Sequence, residues 1–380
     1  MNAGWDVVIL GAGIVGAACA RDCAARGLRT AVIDAAGVGG GATAAGMGHI
    51  VVMDDSPAQL ALTRWSRTLW LELAEELPPE AEFEARGTLW VAADEDEMHE
   101  VRRKQQVYAA AGVATEILDS PALAAAEPQL RPGLPGALLV PSDGVLYPPC
   151  AAGYLMREAV RMGAKRLDPQ RVIVAKHGRV QLQDGTVLLA GHIVIACGAD
   201  ATSLIPELPI RRRRGHLVIT DRYPGFVNHQ LVELGYLKSA HSLTTDSVAF
   251  NVQPRQTGQL LIGSSREYGA ETAGINHPLL GSMIERARSY LPQLGNLQAI
   301  RVWTGFRAAT PDKLPLIGPW PGDNSLVLAT GHEGLGITTS LATGKLVAAA
   351  LTGEAPAIDP EPYFPARFAQ SFASTEPQHA

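Results

Sequence analysis

The chain has 380 residues and a formal net charge of −6; 47% of its residues are hydrophobic and 18% are charged. This length and apolar content suit two intertwined domains or one large α/β unit with a sizeable core, and exclude general disorder. The acidic balance argues against a nucleic-acid partner, which normally needs a basic face.

Taken in order, the chain opens on an apolar strand, Val7 to Leu10. Gly11, Gly13 and Gly16 then spell G-x-G-x-x-G, a helix runs to Ala25 with Gly27 as its stop, and a second strand, Thr30 to Ile33, ends on Asp34. Strand, glycines, helix, strand and acid in this order predict a dinucleotide site. Gly11 serves the tight turn, Gly13 the approach of a pyrophosphate, and Gly16 the packing of helix on strand. The helix N-terminus offers its amides to phosphate, and Asp34 is placed for a ribose hydroxyl. NAD and FAD both remain open on this segment alone, whereas the acid disfavours a 2′-phosphate. The run is broken by glycines and followed by Arg21 and Asp22, so it is read neither as a signal peptide nor as a membrane span. No other stretch approaches ~18 uncharged apolar residues.

A second glycine-rich loop, GVGGGATAAGMGHI, follows; it suits a long cofactor, with a flexible surface loop as the alternative. Residues 57 to 77 are predicted helical, Gly87 to Ala93 a strand, and DEDEMHEVRRKQQVYAAAG a solvated amphipathic helix. Residues 132 to 150 alternate strands and turns, and Pro149 to Gly163 form a helix. A meander with a D-G turn then closes on Gly198, a position from which the chain can touch the cofactor. RRRRG, Arg211 to Gly215, is read as a local feature between two strands. Arg213 to Gly263 is mostly strand-like and Ile284 to Leu291 helical. The pattern predicts two lobes crossed several times by the chain. Cys19, Cys23, Cys150 and Cys197 form no C-x-x-C pair and read as small hydrophobes in a reducing compartment, with no metal site. Finally, Arg307 stands in the otherwise apolar, turn-rich stretch WTGFRAATPDKLPLIG. A guanidinium there needs an anion, either a structural acid such as Asp312 or a substrate.

The segments VVILGAGIVGAACA…VID, GTLWVA, IVIACGA, GQLLIGSSRE and GFRAATPDKLPLIGPW…LVLATGHEGLGITTSLATGKL resemble, in order and over nearly the whole chain, the D-amino-acid oxidase superfamily of FAD-dependent amine oxidoreductases. The N-terminal fingerprint is common to many flavoproteins; the C-terminal pair of motifs is far more specific. The resemblance implies an α/β chain, α+β overall. A Rossmann-like FAD-binding domain would be built from discontinuous segments 1–80, 145–205 and 300–370. An antiparallel-sheet substrate domain would come from 81–144 and 206–299, with a tail at 371–380.

The resemblance also implies noncovalent FAD. Its holders would be Gly11, Ala12, Gly13, Ile14, Val15, Gly16, Asp34, Gly41, Ala42, Thr43, Gly46, Met47, Gly48, Val172, Val174, Ala196, Gly198, Gly334, Leu335, Gly336, Ile337 and Thr338. The implied chemistry is oxidation of the C–N bond of a small amino or imino acid by hydride transfer to flavin N5. Arg307 would grip the substrate carboxylate, with His49, Asn251, His332 and Glu333 around the substrate. The helix from about Ile337 to Leu351 would point its first amides at the pyrimidine end of the flavin.

Departures from the family pattern sharpen this. The covalent-flavin cysteine of monomeric sarcosine oxidases matches Gly305, their carboxylate-binding pair matches Val52 and Thr338, and their oxygen-activating lysine matches Leu261. The substrate-strand tyrosine of glycine oxidase matches Asn251. GHEGLGITT and TAAGMGHIVVMDD are most similar to catalytic subunits of the family's multi-subunit dehydrogenases. That similarity implies a D-hydroxyproline or D-proline type of substrate and electrons passed to a partner subunit or quinone. It also implies partner subunits carrying a second flavin or an iron–sulfur centre. A stand-alone oxygen-using oxidase and a flavin-holding relay subunit are the alternatives. A cytoplasmic location is expected, with peripheral membrane association through partners as the variant.

Overall fold

The computed structural model describes residues 4–167, 169–235 and 246–368; the expected tail at 371–380 lies outside them. The chain opens with β1 (Trp5–Leu10), α1 (Ile14–Ala25) and β2 (Thr30–Ile33), a βαβ unit whose two strands are parallel. Next come α2 (Gly41–Ala45), β3 (His49–Ile50) and α3 (Pro57–Leu73). The Ser56 side chain caps α3 by accepting from the Gln59 amide, and Pro57 presets its first turn. There follow β4 (Thr88–Ala92), α4 (Glu95–Ala110), β5 (Glu116–Asp119), α5 (Ser120–Ala126), β6 (Gly136–Val140), β7 (Gly144–Val145) and α6 (Pro148–Arg161). The meander β8 (Lys165–Arg166), β9 (Val172–Lys176), β10 (Arg179–Leu182) and β11 (Val187–Ile195) leads to β12 (Arg211–Arg222), β13 (Gln230–Glu233), β14 (Ser247–Pro254) and β15 (Gln259–Tyr268). The last elements are α7 (His277–Tyr290), β16 (Ala299–Ala309), β17 (Leu316–Trp320), β18 (Asp323–Thr330) and α8 (Gly336–Thr352).

Two sheets organise these elements. The first is ordered β17-β18-β11-β1-β2-β8, with β10 and β9 attached beside β11. Its central strands are parallel and buried on both faces, so Val7 to Leu10 carry no polar residue. Helix α1 packs between α6 and α8 over this sheet, and Cys19 and Cys23 lie fully buried in that layer. The second sheet is ordered β16-β12-β15-β14-β13-β4-β6-β5 and is antiparallel except where β13 meets β4. Helix α7 covers one face of it through Met283, Ala287 and Tyr290. A two-strand ladder of β3 and β7 adjoins them. No helix of the described residues is long and apolar enough to cross a membrane.

Three expectations shift. The division at residue 300 does not hold: β16 pairs along its length with β12, so 299–309 belong to the second sheet and the chain returns to the first only at β17. The RRRRG run is not a connection but the start of β12. Alternation along the strand separates its charges: Arg212 pairs with Asp200, Arg213 with Glu333 and Arg214 with Glu267. Helix α7 begins at His277, seven residues before the expected start. Asn276 caps it by accepting from the Leu279 amide, and Pro278 sits in its first turn.

Candidate active site

The C-terminal ends of β1, β11 and β18 converge, the end of a parallel sheet at which ligands bind. Gly11 has φ +109°, and a Cβ on Gly16 would overlap the Gly11 carbonyl; this is the close strand–helix contact that the fingerprint requires. A Cβ on Gly13 would meet only the Thr43 hydroxyl, at 3.1 Å, so this glycine leaves room above the chain rather than within it. The Ile14 amide donates to Thr43 Oγ1 at 3.0 Å, and no side chain caps α1 at Gly13. First-turn amides, Val15 among them, lack intrahelical acceptors by geometry and suit an anion.

Asp34 accepts from the amides of Ala12 (2.8 Å), Ala36 (2.7 Å) and Gly37 (2.8 Å). It thus ties the two glycine loops together and keeps acceptor capacity for a sugar hydroxyl. Strand β9, with Val172 and Val174, begins beside it: the Gln170 amide donates to the Asp34 carbonyl at 2.8 Å. Ala196 backs Gly11, and the Gly198 carbonyl accepts from Thr330.

The second glycine loop is held in place rather than loose. Gly41 and Ala42 are exposed, while Gly46 abuts Ile337 and Gly48 abuts Leu146. The Met47 carbonyl accepts from Gln253 Nε2 at 2.8 Å, and Gly305 of β16 sits against Ala45. The loop therefore lies where the two sheets meet. Thr338 is committed to the protein, donating to the His49 carbonyl at 2.7 Å, and Gly336 and Ile337 open α8.

Between the sheets lies a cleft. Arg307, Asn251, His49, Glu333, Gly334 and Leu335 all line it. His332 does not. Its Nε2–H donates to Thr343 on α8 at 3.0 Å, because Thr343 gives its own proton to the Thr339 carbonyl. The histidine is a scaffold residue, and its expected place beside the substrate is corrected. Asp312 is not the partner of Arg307 either; it pairs with Arg367 at 2.6 Å.

Arg307 Nη1 donates to the Ser265 carbonyl at 2.9 Å, and its guanidinium lies over Gly215, directly across the ladder from Gly305. A Cβ on Gly215 would fall on the guanidinium, 2.9 Å from Cζ. Gly215→Ala is therefore expected to displace Arg307 without disturbing the dinucleotide loops. In titrations of substrate it should raise KM while cofactor content stays at the wild-type level, and it should add nothing in an Arg307→Ala background. An additive double variant would sever the link between the two residues.

Among the lining residues that escaped the sequence reading are Arg213, Gln230, Trp90, Arg266 and Lys313. Arg213 was hidden in the basic run. The usable signal was alternation, since Arg213, Gly215 and Leu217 share one side of β12 and Arg213 faces Arg307 across the ladder. The lining carboxylates both meet cations: Glu333 pairs with Arg213, and Asp55 lies 4.0 Å from Lys313. Glu333 holds φ +54°, with its amide donating to the Ala308 carbonyl at 3.0 Å. This strained position fastens the GHEGLG turn to β16 beside Arg307.

Burial pushes His49 down to about 4 and His332 down to about 3. Both rings are neutral at neutral pH. The unfolded chain, with ordinary histidines near 6.5, binds more protons between roughly pH 6.5 and 4, so stability falls as pH drops through that window. Asp143, buried against Arg67 and pushed up to about 6, acts with opposite sign over part of it. The melting temperature of His332→Asn should therefore fall less steeply than that of the wild type between pH 7 and 5. Parallel curves would contradict a buried neutral ring.

Among the described residues no group of three or more His, Cys, Asp or Glu side chains could hold a metal ion. The family model of the FAD dependent oxidoreductases (DAO) matches residues 6–350. The chain is 27% identical to the glycine oxidase of Pseudomonas aeruginosa, over 95% of this chain and 98% of that protein. It is also 27% identical to the hydrogen cyanide synthase subunit HcnC of the same organism, over 97% of each. The crystal structure of glycine oxidase from Geobacillus kaustophilus superposes with a TM-score of 0.85 at 26% identity, covering 95% of this chain and 98% of that one.

Proposed function

The chain belongs to the FAD dependent oxidoreductase (DAO) family, and from that premise we propose that it oxidises the C–N bond of a small amino or imino acid bound in the cleft by Arg307. FAD, when bound, supplies the two-electron acceptor for the hydride on the carbon that bears the amine. The Gly11–Gly16 turn, Asp34, the Gly41–Gly48 loop and the start of α8 would hold it; the room above Gly13 and the spare acceptor capacity of Asp34 fit such a group.

The observation that carries the reading is the position of Arg307. Its guanidinium shares one cavity with the Gly334–Leu335 turn that leads into α8, so a carboxylate held there lies beside the loop assigned to the cofactor. Among the described residues the cleft offers only weak bases: burial holds His49 at about 4, and Glu333 and Asp55 face cations. A substrate arriving as its neutral amine suits such a cleft, because its oxidation then needs no strong side-chain base. A cyclic secondary amine of the D-proline or D-hydroxyproline type is the finer candidate, because its oxidation gives an imine directly. Electron delivery to a partner subunit or quinone is the companion proposal, supported by likeness to a protein named as a subunit.

Anaerobic stopped-flow reduction with glycine, sarcosine, D-alanine, D-proline and 4-hydroxy-D-proline tests the reading. Bleaching of the flavin by at least one is expected, and no bleaching by any amine sinks it. Reoxidation by a quinone analogue faster than by oxygen supports the dehydrogenase form; rapid peroxide formation supports an oxidase. None of the four cysteines lines the cleft, and Gly305 packs against Ala45. All yellow colour should thus pass into the supernatant on acid precipitation; colour retained in the pellet would show a covalent flavin.

A further inference from the structure

We propose that the wall formed by β4, β13 and β14 is a second substrate subsite that reads a hydroxyl group, apart from the carboxylate held by Arg307. The inference rests on the amino- or imino-acid reading above and names a substituent that the substrate carries.

Val232 on β13 lies opposite both Trp90 on β4 and Asn251 on β14. Trp90, Val232 and Asn251 therefore form one row across three strands, with Gln230 two residues along β13 on the same face. All four line the cleft. Trp90 is 2% exposed, Gln230 2% and Asn251 5%. Yet Trp90 Nε1, Gln230 Oε1 and Asn251 Oδ1 are buried polar atoms with no hydrogen-bond partner among the described residues. Buried polar groups are normally satisfied, so three unsatisfied ones on a single cavity wall point to a ligand that satisfies them.

Their chemistry selects the ligand group. An indole N–H can only donate, and an amide oxygen can only accept. A hydroxyl does both at once: its oxygen accepts from Trp90, and its proton goes to Asn251 or Gln230. With both amide oxygens facing the cavity a carboxylate would meet two acceptors there, an ammonium would meet the indole proton, and a methyl would leave all three groups unmet. The indole is held firmly for this role. The Lys104 ammonium, fully buried and paired with Asp54, sits 4.4 Å from the Trp90 ring centroid. Arg307, on β16, is separated from β14 by β12 and β15, so the two subsites are distinct places in one cavity.

The test compares ligands that differ by one hydroxyl on the FAD-loaded protein. Flavin reduction by 4-hydroxy-D-proline should exceed that by D-proline roughly 10–100-fold in kcat/KM, because the unhydroxylated ring leaves buried groups unpaired. Calorimetry with 3-hydroxycyclopentanecarboxylate and cyclopentanecarboxylate, which lack an oxidisable amine, should show the same preference in Kd. Asn251→Leu and the shape-conserving Trp90→Phe should each shrink the ratio to within about threefold, as removal of the polar partner removes the penalty. A ratio near one in the wild type, or a ratio unaltered in both variants, overturns the subsite. Failure of every amine to reduce the flavin overturns the proposed reaction instead, while the calorimetric ratio still reports on the hydroxyl.

Discussion

Arg307→Ala is expected to yield a folded, yellow protein whose kcat/KM for a carboxylate-bearing substrate falls by roughly 100-fold or more, most of it through KM. The magnitude follows from losing two charge-assisted hydrogen bonds of a planar fork to a carboxylate, each worth about 1.5–3 kcal/mol. The yellow colour should persist, because the arginine is anchored on the second sheet, against Ser265 and Gly215. Arg307→Lys should fall between the two, since a point charge keeps the attraction but loses the bidentate geometry. The control is an amine without a carboxylate, whose slow reaction the variant should leave unchanged. Stopped-flow titration of flavin reduction reads both quantities. A variant with normal substrate affinity would move the carboxylate elsewhere in the cleft.

The second large effect belongs to Gly16. Gly16→Ala places a Cβ on the Gly11 carbonyl oxygen and 2.9 Å from its carbon. A Cβ has no rotamer by which to escape, and the obstacle is backbone, so β1 and α1 must separate. Overpacking of this kind typically costs 1–3 kcal/mol, and more where backbone must move. The variant should emerge colourless or largely free of FAD, with a melting temperature lowered by several degrees. Gly13→Ala is the informative companion. Its Cβ meets only Thr43 Oγ1, at 3.1 Å, so the fold should survive while FAD affinity drops. If Gly13→Ala bound FAD normally, the turn would be structural and the phosphates would lie elsewhere. If Gly16→Ala were as stable and as yellow as the wild type, the tight contact would be illusory.

Lines of evidence that agree at several levels made some of the molecule legible. In the βαβ unit, apolar run, glycines, helix stop and acid coincide, and β2 begins and ends where predicted, at Thr30 and Ile33. Helix α8 ends at Thr352, one residue past the expected Leu351, where Gly353 caps it with φ +73°. Other features were illegible for a physical reason. The basic run reads as a patch in one dimension, but strand alternation sends Arg212, Arg213 and Arg214 to three different acids, 12, 120 and 53 residues distant. His332 and Glu333 are adjacent in sequence and look equivalent. Only the left-handed backbone at Glu333 turns one towards α8 and the other towards the cleft.

The sequence by itself determined the dinucleotide turn, the family and the presence of one arginine that needed an anion. Those features depend on local spacing and on residue types whose backbone or charge requirements cannot be met otherwise. Tertiary structure alone decided what surrounds that arginine. Pairing of β16 with β12 set Arg307 over Gly215 and across from Arg213, and the order β15-β14-β13-β4 brought Asn251, Gln230 and Trp90 into one wall. Strand order in a sheet is fixed by long-range pairing between segments that carry no mutual mark in sequence. A cavity lined by six such strands therefore becomes readable only once they are assembled.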